Sequence, residues 1–341
     1  MKIGIVGYQG TGKSTFFSWL TEVETDPAKG HLSQTAVCLI PDDRIDALCE
    51  VYNPKKVTTA GLELVDTPGL ARDGEGNANR LATIRESDCL VLIVPAFAGA
   101  SAANELSSLE ADLALADLEI VTKRIEKLRE SVKKPRPNRE QEQKELASLE
   151  PIVQRLEAGD ALAELQLEEE QKKAIRSFRL FAEKPKLVVA NIADNVEGAE
   201  VSKEIESQGY AVLAAPLSLE LELAGMPEDD RAEFEQDLQL TTPRRDEFIK
   251  ALLRASRQQL YFTAGEKEVR SWLLPEGGTA LEAADNVHSD LAKGFIRAEV
   301  MRSEDLIRLG SEREIKANNL MRQEHREYVV QDGDILLIRH N

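Results

Sequence analysis

The stretch Gly7-Tyr8-Gln9-Gly10-Thr11-Gly12-Lys13-Ser14-Thr15 decides how the chain is read. It satisfies the spacing G-x-x-x-x-G-K-[ST] at every position. Residues 3–6 before it form an apolar run of buried-strand length, and residues 16–20 after it read as a helix. In that strand–loop–helix setting the glycines let successive backbone N–H groups turn inward at a helix N-terminus and cradle an anion. Gly10, Thr11, Gly12, Lys13, Ser14 and Thr15 are therefore the expected phosphate-binding residues. Lys13 is placed to reach the β- and γ-phosphates of a nucleotide, and the Ser14 hydroxyl to ligate Mg²⁺.

Composition sets the outer bounds. A chain of 341 residues suits two or three domains with cores of their own. Its formal charge of −18 argues against general adhesion to nucleic acid, so no DNA partner is expected. Any RNA contact has to come from a local basic patch. Cys38, Cys49 and Cys89 match neither a disulfide framework nor a zinc spacing, which suits reduced thiols in a cytoplasmic protein. The first strand starts at Lys2, leaving no room for a signal peptide, and no apolar run reaches membrane-spanning length. A soluble protein without a membrane partner is expected.

Runs at 61–65, 89–94 and 186–190 look like further strands, with helical patterns between them. The base fold thus reads as α/β, a mostly parallel sheet with helices on both faces. Residues 103–158 break the alternation. Leu118, Val121, Ile125, Leu128 and Val132 recur three and four apart, as do Leu146, Leu149, Val153 and Leu156 beyond Pro135-Arg136-Pro137-Asn138. That predicts an antiparallel coiled-coil hairpin with a proline-marked tip, inserted into the sheet domain. An acidic stretch at 227–243 leads to a helix and then to a small α+β module, whose closing hairpin is predicted to turn at Asp332-Gly333. The expected domains are 1–102 with 159–257, the insertion at 103–158, and the module at 258–341.

A second phosphate-site motif, Asp66-Thr67-Pro68-Gly69, ends the run at 61–65. In P-loop NTPases a carboxylate here holds Mg²⁺ and the glycine N–H senses the γ-phosphate. Leu70 occupies the place of the glutamine that orients the attacking water in many GTPases, and an aliphatic side chain cannot polarise water. Lys13, Gly69 and Leu70 are thus the positions where catalysis is decided. Thr35 is the candidate switch threonine, joining Ser14 and Asp66 at the metal. Asn191-Ile192-Ala193-Asp194 stands in the place of the base-reading N-K-x-D, with Ile192 for lysine. Asn191 and Asp194 are the expected base readers: an aspartate can accept two hydrogen bonds from guanine N1 and N2, donors that adenine does not pair. An ordinary strand-to-helix turn is the alternative.

Taken together, these residues resemble the YchF subfamily of Obg-related P-loop NTPases. The likeness spans nearly the whole chain and includes Pro41-Asp42-Asp43-Arg44-Ile45-Asp46-Ala47-Leu48, Gly74-Glu75-Gly76-Asn77 and Ala114-Leu115-Ala116-Asp117-Leu118. Tyr261-Phe262-Thr263-Ala264-Gly265, Glu268-Val269-Arg270-Ser271-Trp272 and Lys293-Gly294-Phe295-Ile296-Arg297-Ala298-Glu299-Val300 look like the TGS module, a ubiquitin-like β-grasp domain. The resemblance implies a ribosome-associated NTPase that uses Mg²⁺ with GTP or ATP. Members carry N-x-x-E and favour ATP, whereas the acidic residue here is Asp194, nearer the guanine-reading form. Members also place a histidine after the third strand in lieu of the missing glutamine. Phe97-Ala98-Gly99-Ala100-Ser101-Ala102-Ala103-Asn104 fills that region without one, and His31, His288, His325 and His340 lie elsewhere. The expectation is a slow GTPase or ATPase, the alternative a nucleotide-binding adaptor with little or no hydrolysis.

The partner expected is the ribosome. Within 123–139, Lys123, Arg124, Lys127, Arg129, Lys133, Lys134, Arg136 and Arg139 stand against only Glu126 and Glu130, a candidate rRNA-phosphate contact at the hairpin tip. A solvated helical face is the other reading of such a run. A monomer is expected.

Overall fold

The computed structural model describes residues 1–25, 33–159, 162, 166–194, 198–237 and 243–341. Its strands are β1 (Lys2–Val6), β2 (Gln34–Leu39), β3 (Val57–Thr58), β4 (Gly61–Asp66), β5 (Cys89–Ala96), β6 (Lys186–Ile192), β7 (Val212–Ala215), β8 (Gln258–Ala264), β9 (Val269–Pro275), β10 (Phe295–Arg302), β11 (Arg322–Glu324) and β12 (Asp334–His340). The chain divides into two compact units: Met1–Ala36 with Glu63–Pro243, and Val37–Leu62 with Arg244–Asn341. It crosses between them inside β2 and again inside β4. The boundary expected at 257/258 is therefore not where the chain divides.

In the first unit, β4, β1, β5, β6 and β7 lie side by side in that order, and every pairing is parallel. The register sets Ile5 beside Asp66 and Val6 beside Leu92. Strands covered on both faces must be apolar throughout, and Ile3, Ile5, Val6, Leu90, Val91 and Leu92 are all fully buried. Their core includes Leu106, Leu109 and Leu113 from the long helix Ala102–Ser131, together with Phe181. The expected α/β architecture is what forms. Because all five strands run the same way, their carboxyl ends share one side, where ligands bind in open α/β sheets.

The helices Ala102–Ser131 and Arg139–Glu157 form the insertion, and Ser101 caps the first. Val121, Ile125 and Leu128 bury against Leu149, Ile152 and Leu156, the residues the three-and-four spacing singles out, with Ile152 in place of its neighbour Val153. Lower on the long helix, the fully buried Asp117 accepts from Arg85 Nη1 at 2.6 Å and from Ala182 N at 2.9 Å. A buried carboxylate is tolerable only with such partners.

The second unit holds a mixed sheet ordered β11-β10-β12-β8-β9-β3. The closing hairpin does not form as expected. β12 pairs antiparallel with β10 and parallel with β8, while residues 328–330 supply only a bridge from Val329 to Thr279. The cause is Asp334, fully buried, whose Oδ2 accepts from Tyr328 Oη at 2.7 Å and from Gln331 N at 2.9 Å. Those bonds curl the segment before β12 into a turn. Segment 37–62 is built into the same unit: β3 pairs with β9, and Arg44 Nη1 reaches Asp332 at 2.7 Å. The helix Arg245–Ala255 also belongs here, burying Phe248, Ile249 and Leu252.

Candidate nucleotide site

The loop after β1 enters the helix Lys13–Thr21 through Gly12, whose φ of 99° lies in the left-handed region. A β-carbon there would come within 2.5 Å of Asn191 Nδ2, so Gly12 is required twice, by conformation and by contact. The first helical N–H groups, those of Lys13, Ser14 and Thr15, have no partner within the helix and face outward as anion donors. Lys13 is buried, and its Nζ donates to the Tyr8 carbonyl at 2.7 Å, an oxygen that also accepts from Thr11 Oγ1 at 3.1 Å. Burial lowers the Lys13 ammonium to about 8, with Asp66 pulling weakly the other way. A cation held this dry gains much from a bound polyphosphate.

Register puts Asp66 at the end of β4, directly beside the β1 loop. Ser14 Oγ donates to Asp66 Oδ2 at 2.6 Å, while Asp66 Oδ1 is buried and has no hydrogen-bond partner among the described residues. Burial raises the Asp66 carboxyl, against the Ser14 hydrogen bond and the Lys13 charge. A buried acceptor next to a hydroxyl is the donor set a hard divalent cation takes, so Ser14 and Asp66 fit Mg²⁺. Thr35 stands at an exposed position of β2 and, like Asp66 and Gly69, does not itself line the cavity described below.

Gly69 adjoins Lys13 so closely that a β-carbon on it would lie 2.8 Å from Lys13 Nζ. The next residue departs from expectation. Leu70 N donates to Gly7 O at 3.0 Å and Leu70 O accepts from Gln9 N at 3.0 Å, which turns the side chain into the core with Val6, Tyr8 and Ile84. Leu70 is fully buried and cannot face a reacting phosphate; its contribution is to brace the phosphate loop.

A cavity of about 560 Å³ runs from these groups to the ends of β5, β6 and β7. Its lining includes Gly10, Gly12, Lys13, Ser14 and Thr15 at one end, and Phe97, Ile192, Ala193, Asp194 and Ser218 at the other. That volume suits a nucleotide-sized ligand. A larger hollow of about 700 Å³ in the second unit presents Glu282 and Asp285 against the single cation Lys293, a net charge that disfavours a polyphosphate. Chemistry, not volume, selects the site.

Asn191 also lines the cavity, but both ends of its amide serve the backbone. Nδ2 donates to Thr11 O at 3.1 Å, and Oδ1 accepts from Leu217 N at 3.2 Å. It ties the phosphate loop to β6 and to the helix Leu217–Ala224, and the second Nδ2 hydrogen is left over for a ligand in the cavity. Asp194 stays exposed at the rim. Phe97 and Ser218 carry no motif. Their only signal is position: Phe97 directly follows β5, and Ser218 lies in the first turn of the helix after β7, where ligand-facing residues collect. His31 lies outside the described residues. His288, His325 and His340 belong to the second unit.

Comparison with known proteins agrees with this geometry. A family model described as a 50S ribosome-binding GTPase matches residues 2–136. A second, named for the C-terminal region of YchF GTPases and described as a protein of unknown function, matches residues 259–341. The chain is 35% identical to the ribosome-binding ATPase YchF of Pasteurella multocida, covering 100% of this chain and 99% of that one. It is 31% identical to the Bacillus subtilis protein of the same name, over 99% and 98%. It is 32% identical to Obg-like ATPase 1 of Oryza sativa, over 100% and 92%. The solved structure of the Schizosaccharomyces pombe YchF GTPase superposes with a TM-score of 0.83 at 27% identity, covering 99% of this chain and 97% of the other. On sequence, on fold and on the phosphate-binding geometry of its first unit, the chain belongs to the YchF family of P-loop NTPases.

Proposed function

We propose that the protein binds a purine nucleoside triphosphate with Mg²⁺, hydrolyses it slowly, and uses the bound state to regulate contact with the ribosome. The carrying observation is that buried Lys13 and Ser14 line one end of the cavity, with the orphaned Asp66 Oδ1 on the carboxylate that Ser14 donates to. Magnesium held by Ser14 and Asp66 would offset charge on the β- and γ-phosphates. Lys13, the helix amides and the Gly69 N–H would hold the phosphates themselves. At the far end the base would lie between Phe97 and Ile192, with Asp194 accepting from a guanine edge. Either purine fits that arrangement, and the two are separated by titrating GDP against ADP.

Slow turnover follows from Leu70, whose side chain is spent in the core. The same observation favours a second reading, an adaptor that binds nucleotide and hardly hydrolyses it. Single-turnover assays with and without ribosomes separate the two: an NTPase switch accelerates on the ribosome, an adaptor does not.

For the ribosomal contact, four of the eight basic residues at the hairpin tip are paired: Lys123 with Glu119, Arg124 with Glu145, Arg129 with Glu150 and Lys133 with Glu130. Arg139 Nε donates to Val132 O. Lys127, Lys134 and Arg136 are left to neutralise RNA phosphates. Changing these three to glutamate is expected to weaken ribosome co-sedimentation and flatten its salt dependence, at unchanged nucleotide affinity. Undiminished co-sedimentation would remove the tip from the interface.

A further inference from the structure

Leu70 leaves the hydrolytic water without its usual partner, and the nearest residue to Gly69 that carries a carboxamide is Gln9. Gln9 is exposed on the phosphate loop and lies against Gly69: a β-carbon on Gly69 would come within 3.0 Å of Gln9 Cα and 3.1 Å of Gln9 Cγ, on the side where Lys13 Nζ lies at 2.8 Å. The backbone bond from Gln9 N to Leu70 O fixes the residue there. Its carboxamide has no hydrogen-bond partner among the described residues. A phosphate held by Lys13 and sensed by the Gly69 N–H would have Gln9 on the Gly69 side of it.

We infer that Gln9 is a catalytic residue, supplying from the phosphate loop the water-orienting amide that position 70 has given up. This rests on the NTPase reading above. A carboxamide is suited to the task because it offers an acceptor for a water proton and donors for a phosphate oxygen at once, and stays neutral. The water oxygen bonds to the γ-phosphorus while the bond from that phosphorus to the β,γ-bridging oxygen breaks. The bridging oxygen leaves on the nucleoside diphosphate, and the water's proton ends on the released phosphate. Gln9 only holds the water in line and is unchanged.

The test is single-turnover hydrolysis of GTP and ATP by the wild type, Gln9→Ala and Gln9→Asn, with and without ribosomes, beside the affinity of each for a non-hydrolysable triphosphate. Gln9→Ala is expected to lower the chemical step roughly 100-fold, with affinity within about twofold of wild type. Gln9→Asn, one methylene short, is expected between the two. The diphosphate complex of the wild type should also capture aluminium fluoride, which mimics the in-line transition state, and Gln9→Ala should not. A merely structural role would move affinity and leave that capture intact. Hydrolysis by Gln9→Ala at the wild-type rate, or retained capture, overturns the assignment alone. Wild type that binds nucleotide but never hydrolyses it, even on ribosomes, overturns the NTPase reading and this assignment with it.

Discussion

The two ends of the cavity are built on different principles. The phosphate end is assembled from parts that have no alternative: a glycine that cannot take a β-carbon, a lysine driven dry, and a carboxylate with one oxygen unspent. The base end has its polar residues tethered or exposed. Asn191 is tied to the Thr11 carbonyl and the Leu217 amide, Asp194 is open to solvent, and Phe97 and Ile192 offer apolar faces that either purine can use. In the function proposed above, affinity would come from phosphate and metal, while base choice would rest mainly on one screened carboxylate.

The strongest way to break the contrast is Lys13→Ala. Removing one partner of a buried charged contact costs about 2–5 kcal/mol, so nucleotide affinity should fall about 100-fold or more for GDP and ADP alike. Calorimetric titration reads this directly, and a loss confined to one base would contradict the division of labour.

The next effect is a pH dependence. With its ammonium near 8 in the free protein, Lys13 is charged at pH 7 and largely neutral at pH 9. A bound polyphosphate favours the charged form, so binding takes up a proton above pH 8 and weakens as pH rises, by up to about tenfold per unit. Titrations in two buffers of different ionisation enthalpy check it: heats should diverge at pH 9 and agree at pH 7. Lys13→Ala should abolish the divergence.

The smallest effect belongs to the base end. Asp194→Asn removes a charged acceptor and should cost GDP about tenfold while leaving ADP within about twofold. Equal losses would mean that Asp194 does not read the base, and that discrimination has to come from Phe97, Ile192 and Ser218.

What could be read from the sequence follows the same line. The phosphate loop and Asp66 to Gly69 are local devices, in which backbone conformation and neighbouring residues make the site, so short motifs locate them. The apolar strands and the helical spacing of the insertion were legible for a similar reason, because periodicity reports burial. What was not legible depends on contacts between distant residues. Leu70 reads as a vacancy in a catalytic role, but its burial is set by backbone bonds to Gly7 and Gln9 and by packing on Val6 and Ile84. Asn191 reads as a base contact, and its tether to Thr11 and Leu217 could not be read beside that. Segment 37–62 carries no local sign that it will leave the first unit, since the pairing of Val57 with Val269 and the ion pair of Arg44 with Asp332 span over two hundred residues. The turn at Asp332-Gly333 forms as read, with Asp334 N donating to Gln331 O at 3.0 Å, but the hairpin pairing fails for the same reason, since buried Asp334 decides what lies before it.

The central claim is that the amides of the phosphate loop, with Lys13, Ser14 and Asp66, hold the phosphates of a magnesium-bound purine nucleotide. Calorimetric titration of the purified protein with non-hydrolysable GTP and ATP analogues, with and without Mg²⁺, tests it most directly. The predicted result is saturable binding at a single site that Mg²⁺ strengthens. Absence of any uptake at millimolar nucleotide, or binding indifferent to the metal, would contradict it.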